Sequence, residues 1–341
     1  MIRRNKLFLA SVLVGVSVCS LAAQAQTAEE FYKSKGLKIM LGHPPGGSYD
    51  LYARLAADHM RKYLPVPGSI IIQHKPGGGG VLAVNYFYAN APRDGSMVGL
   101  FPETLVHTQM MDPKIARWKM EEMKYVGSFA PVNAAFVVRA GAGINTVAEL
   151  KARPVTLGCS GKASQSYQYP AMLKAIGGFD KFKLICGYRG SKAFVLATER
   201  GEVDMVASAW NTWRSVGKQY LDSGKMKVLL QAGLKRDKEM ANIPLMQEIV
   251  TDPKARLVLE FASSGSPIGR AFITPPKVPA DRLALLRAAF DKLVKDKAFL
   301  AQADKVAAAI DPTPGQELDE LVAKSLKTPK EIVDAAANAM K

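Results

Sequence analysis

Short apolar runs alternate with helix-length amphipathic stretches along nearly the whole chain, a rhythm that few architectures accommodate. Leu37–Leu41, Ser48–Leu64, Ser69–Gln73, Val81–Ala91 and Met97–Phe101 read as strand, helix, strand, helix, strand. Alternation of this kind predicts a mainly parallel sheet covered by helices. In the first helix Leu51, Leu55, Ala56 and Tyr63 recur at the helical period. Ser48 is placed to cap it, Asp50 complements its macrodipole, and Pro65 and Pro67 stop it. The rhythm restarts after Gly127, with strands expected at Ala135–Arg139, Val155–Cys159, Lys183–Gly187, Val203–Ser208 and Lys227–Gly233, a second α/β unit. Beyond a strand at Ala271–Thr274 the chain is mostly helical, too poor in strands for a third domain, so this stretch is expected to pack on one of the two units. A length of 341 residues with 48% apolar content suits that reading and excludes a disordered chain.

Residues 1–25 stand apart. Arg3, Arg4 and Lys6 precede the apolar run Leu7–Val18, and Ala23-Gln24-Ala25 follows, the pattern of a cleaved secretory signal peptide. Lipid attachment at Cys19 is the lesser alternative, because Val18 sits where a small residue is expected. The excess of 46 Lys and Arg over 30 Asp and Glu, +16 in all, disfavours a cationic ligand. Nucleic acid is not expected as a partner, since the bases are dispersed and the chain is exported. After the leader only Cys159 and Cys186 remain, at the ends of strands that could be neighbours. A disulfide between them is allowed, and two small buried apolar side chains fit equally well.

The strongest local feature is His43-Pro44-Pro45-Gly46-Gly47-Ser48-Tyr49-Asp50, placed between a strand and a helix. Glycine lets a backbone approach a ligand, and helix N-terminal N–H groups favour an anion; a plain tight turn explains one such loop equally well. A second loop of the same form, Gly158-Cys159-Ser160-Gly161-Lys162-Ala163-Ser164-Gln165, opens a helix in the other unit, and the pair points to a cleft that binds carboxylates. Lys75-Pro76-Gly77-Gly78-Gly79-Gly80 exceeds what a turn needs, yet neither nucleotide fingerprint is present, so it is assigned to close packing or to the cleft wall. Arg189, in Gly187-Tyr188-Arg189-Gly190, could pair with a carboxylate. Ser208 ends an expected strand and Trp210 and Trp213 follow it, and an indole could wall an apolar part of the ligand. The four histidines lack metal-ligand spacing, and Gly158-Cys159-Ser160-Gly161-Lys162 fails the nucleophile-elbow pattern at its last position. Neither metal nor other cofactor is expected.

Taken in order, Phe31-Tyr32, Pro44-Pro45-Gly46-Gly47 with Asp50, Lys75 through Gly80, Asn85-Tyr86, Ala91-Pro92-Arg93-Asp94-Gly95, Ser160-Gly161, Tyr188-Arg189-Gly190, Gly201-Glu202-Val203-Asp204 and Pro275 resemble the Bug-type periplasmic receptors of tripartite tricarboxylate transporters. The resemblance implies a type II periplasmic-binding-protein fold, α/β with a ligand cleft between two lobes, and no catalysis. It implies a first lobe of residues 26–130 plus 233–341 and a second of 131–232. Ligand contacts would come from Pro45, Gly46, Gly47 and Ser48 on one side and Ser160, Gly161, Ser164 and Gln165 on the other, flanked by Tyr188, Arg189 and Gly190. The chain departs from the common pattern at His43 and Trp210, side chains that would suit a bulky or aromatic carboxylate. The expected partners are a small organic carboxylate and a membrane permease, with the receptor a periplasmic monomer. A sensor feeding a membrane kinase is the alternative, and a secreted hydrolase using Ser160 a more distant one.

Overall fold

The computed structural model describes residues 26–341, so the leader expected at 1–25 lies outside the described residues. In chain order the strands are β1 Lys38–Leu41, β2 Ile71–His74, β3 Met97–Leu100, β4 Lys124–Ser128, β5 Ala134–Arg139, β6 Val155–Cys159, β7 Phe182–Cys186, β8 Met205–Ala209, β9 Met226–Ala232, β10 Ala271–Thr274 and β11 Thr313–Pro314. They form two sheets, ordered β11-β4-β10-β3-β1-β2 and β7-β6-β8-β5-β9. The expected α/β alternation is present, but the sheets are mixed rather than mainly parallel. Strands β2, β1 and β3 are parallel, as are β7, β6 and β8. Strand β10 runs antiparallel to β3 and β4, and β5 antiparallel to β8 and β9. The physical reason is the route of the chain: β5 and β10 are the first strands after the chain passes from one sheet to the other, so they enter from the opposite end to the strands built by βαβ crossovers.

Each sheet is covered on both faces. On one face of the first sheet Phe129, at the first crossing between sheets, packs against Phe272 and Phe290 with ring centroids 5.2 and 4.8 Å away. Burying rings of this size contributes about 1.5–3 kcal/mol each. Strand β4 has no clear signature in the sequence because Gly127 interrupts its apolar pattern; that glycine leaves room for the Phe290 ring lying on it.

The helical chain after residue 233 divides between the sheets, where the sequence reading assigns all of it to the first lobe. Helices Ala280–Leu293, Lys297–Lys305 and Gly315–Ser325 bury Leu286, Phe290, Phe299, Leu318 and Val322 on the first sheet. Helices Pro253–Ser263 and Lys330–Ala339 instead pack Val258, Leu259, Ile332 and Val333 into the core of the second. The apolar stripe of an amphipathic helix says that it must be covered, not by which sheet. No helix among the described residues is long and apolar enough to cross a membrane.

Candidate functional site

The loops that follow β1, β3, β6, β7 and β8 meet where the two sheets face each other. Helix Ser48–His59 begins there with Gly47 as its N-cap, so Ser48 is its first residue rather than its cap. Helices Gln165–Ile176 and Ser191–Glu199 begin there too, after Ser164 and Gly190. None of these N-termini is closed by a side-chain hydrogen bond of its cap residue. First-turn N–H groups have no intrahelical acceptor, and the helix dipole makes such an end partly positive. Tyr49, Gln165 and Ser191, in the first turns of these helices, line an inner chamber of about 40 Å³ together with Ser160, Ser164, Ser166, Ser208 and Thr212. An outer chamber of about 400 Å³, sharing His43, Ser160 and Gly190 with the inner one, is lined by Pro44, Gly77 through Gly80, Tyr188 and Arg189.

The floor of the inner chamber holds residues absent from the sequence reading. Arg270, just before β10, is 1% exposed, and its Nη1 donates to the equally buried Glu103 at 3.2 Å. Its Nη2 donates to Ser48 Oγ at 3.0 Å, and its guanidinium lies 3.9 Å from the Tyr49 ring centroid. Its Nε has no protein partner and is shut off from solvent. Glu103 also accepts from the Tyr49 hydroxyl at 3.1 Å and from the Gln165 amide, which comes from the opposite side of the cleft. The ion pair is thereby neutralised, with the carboxylate held by three donors, and the guanidinium lines the chamber with its charge compensated by Glu103. A lone arginine and a lone glutamate separated by 167 positions carry no pattern that would have found them.

His43 stacks on Tyr49, ring centroids 4.2 Å apart and planes 5° from parallel. Burial and the neighbouring Arg270 charge push its pKa down to about 3, so the imidazole is neutral, and its Nδ1 is without a partner. Burial raises the Tyr49 phenol strongly, which keeps it a hydrogen-bond donor. Asp50 fixes the Gly-rich loop from below. It accepts from the Gly46 N–H at 2.8 Å and Arg54 at 2.9 Å and lies 3.1 Å from His74. Burial works to raise its carboxyl, and those three partners outweigh it, leaving the pKa below the ordinary value.

The expected site residues separate into groups. His43, Ser160, Ser164, Gln165, Gly190 and Ser208 line the inner chamber, and Ser48 stands behind Arg270. Tyr188 and Arg189 line only the outer one, with Arg189 exposed. Gly46, Gly47 and Gly161 face residues of the opposite lobe, and Pro45 is exposed and lines neither chamber. Trp210 is displaced altogether: its indole donates to Glu239 at 2.6 Å in a separate cavity of about 630 Å³ beside the crossings between sheets, and Trp213 is core. The turn at Ala209 directs the Trp210 side chain away from the cleft, an orientation that spacing alone cannot give. Cys159 and Cys186, paired in register at the ends of β6 and β7, form a disulfide that ties the loop opening at Ser160 to the loop opening at Gly187. The hydroxyl of Ser160 lies 3.4 Å from that of Ser166, and no histidine is hydrogen-bonded to it among the described residues.

The family model described as the tripartite tricarboxylate transporter family receptor matches residues 52–337. A UPF0065 protein from the gbd 5′ region of Cupriavidus necator is 28% identical over 259 residues, 72% of this chain and 74% of its own. Among solved structures, MatC from Rhodopseudomonas palustris with bound malate aligns over 87% of this chain and 98% of its own, with 20% identity and a TM-score of 0.69. Rpa4515 of R. palustris with adipate covers 88% and 96%, with 17% identity and a TM-score of 0.67.

Proposed function

Because the chain belongs to the tripartite tricarboxylate transporter receptor family, a family of solute-binding proteins rather than enzymes, we propose that its cleft captures an organic carboxylate and delivers it to a membrane permease. The observation that carries this reading is the convergence of uncapped helix N-termini on a hydroxyl-lined chamber that a buried, ion-paired arginine also lines. Such a chamber stabilises an anion without a free cation, through fixed dipoles and hydrogen bonds in a water-poor setting. The carboxylate head sits against Ser164, Ser191 and Arg270, and the rest of the ligand extends past His43 into the outer chamber. The size preference then lies with the outer chamber, since Trp210 no longer supports an aromatic partner. Malate and adipate, bound by the two R. palustris neighbours, make small and extended dicarboxylates the first candidates. The protein works in the periplasm after removal of residues 1–25, as a monomer whose lobes close over the ligand.

Thermal melting of the mature protein, stripped of ligand by unfolding and refolding, tests the reading against mono- and dicarboxylates and their uncharged amides. A ligand at a hundred times its Kd adds about 2.7 kcal/mol, a rise of several degrees. Stabilisation by an acid but not by its amide is expected. Equal response to both, or to neither across the panel, contradicts carboxylate recognition.

A further inference from the structure

Gly161 and Gly190, which read as ligand contacts, and Gly79 of the four-glycine run lie where the lobes touch. A Cβ placed on Gly161 would stand 2.8 Å from the Gly79 nitrogen and 2.9 Å from the Gly78 carbonyl carbon, both backbone atoms of the other lobe. One placed on Gly79 would stand 2.9 Å from the Ser164 nitrogen. On the far side of the outer chamber, a Cβ on Gly190 would meet the Pro44 ring at 2.9 Å. Around this line the lobes also exchange hydrogen bonds: Thr104 Oγ1 to the Ala163 carbonyl at 2.6 Å, and Gln165 to Glu103.

We infer that Gly79 and Gly161 form a closure seam: they are positioning residues whose missing side chains let the two lobes shut, and they govern affinity through closure rather than by touching the ligand. A backbone atom cannot swing aside as a side chain can, so a methyl group on Gly161 requires the loops to separate. Gly161 does not have a positive φ, so alanine there strains nothing within its own lobe. Because only the closed form holds the ligand on both sides, the apparent affinity scales with the closed fraction. The inference rests on the cleft being the binding site, but its test needs no ligand.

The mature protein carrying G47C and S191C, one cysteine on each lobe and neither in the seam, is oxidised mildly without ligand. A Cβ on Gly47, whose φ is −96°, would lie 3.8 Å from that of Ser191, within the range a disulfide spans, and both native cysteines of the described chain are already paired. Intact-mass analysis is expected to show an intramolecular cross-link, and adding G161A is expected to slow its formation at least about tenfold. The melting temperature should be the same with and without G161A, and G141A, whose Cβ would meet only the flexible Arg139 guanidinium, should leave the cross-linking rate unchanged. Absence of the cross-link in the parent pair, or an equal rate with G161A, overturns the seam. Failure of every carboxylate in the melting screen leaves this result intact, so the two readings fail separately.

Discussion

The inner and outer chambers of the cleft share His43, Ser160 and Gly190 yet are built from opposite materials. The inner one is walled by helix N-termini, hydroxyls and a buried ion pair, groups that hold fixed dipoles in place. The outer one is walled by glycine backbone, two prolines, a tyrosine and an exposed arginine. Charge at the surface is screened by water, whereas dipoles fixed in a buried wall retain their strength. On the proposed function, the anion is recognised inside and the mouth is left to closure and to ligand length.

Breaking the inner chamber is expected to cost most. Arg270→Ala leaves Glu103 buried without its cation and should lower stability by about 3–5 kcal/mol, read by urea unfolding; a loss under about 1 kcal/mol would mean that the pair is not buried as described. Reducing the Cys159–Cys186 disulfide, which closes a loop over a sequence separation of 27 and underpins two loops of the second lobe, should cost about 2–4 kcal/mol in the same assay. Acid probes His43, which sits between the chambers. Its folded pKa of about 3 lies below the unfolded value of about 6.5, so its contribution is present in full above pH 6.5 and is lost as pH falls through that window. The wild type should therefore lose up to about 1.4 kcal/mol per pH unit more than H43Q between pH 6 and pH 4, and parallel curves would place the imidazole in water. For binding, Ser191→Ala should weaken a carboxylate identified in the melting screen by about 1 kcal/mol, roughly fivefold by calorimetry. Arg189→Ala, at the mouth, should change it by less than about 0.5 kcal/mol. If the last two reverse, recognition lies in the outer chamber.

Much of the fold was legible because apolar periodicity is a local signal. The strands from β1 to β9 other than β4 lie within two residues of their expected positions, and helices start where the Gly-rich loops end. Sheet direction was not legible, since it depends on where the chain crosses between lobes. Nor was the sharing of helices: Ile332 and Val333 announce a buried face but not its partner. At the cleft, the meeting of Ser160, Ser164 and Gln165 at one chamber was legible because loop and helix start are adjacent in sequence. Arg270 and Glu103 were missed because their meaning lies in a contact across 167 positions, and Trp210 was misplaced because one backbone turn decides which cavity its ring enters. The disulfide was left open between two readings, and its register across β6 and β7 decides it.

The most direct test is an amide-resolved NMR titration of the mature protein with a carboxylate identified in the melting screen. If the inner chamber holds the carboxylate, the N–H signals of Ser48–Asp50, Gln165–Tyr167 and Ser191–Ala193 shift together and saturate at one concentration, with those around Trp210 and Lys235 unmoved. Shifts confined to the Trp210 cavity, with the helix N-termini silent, would contradict the account and move the binding site to the crossings between lobes.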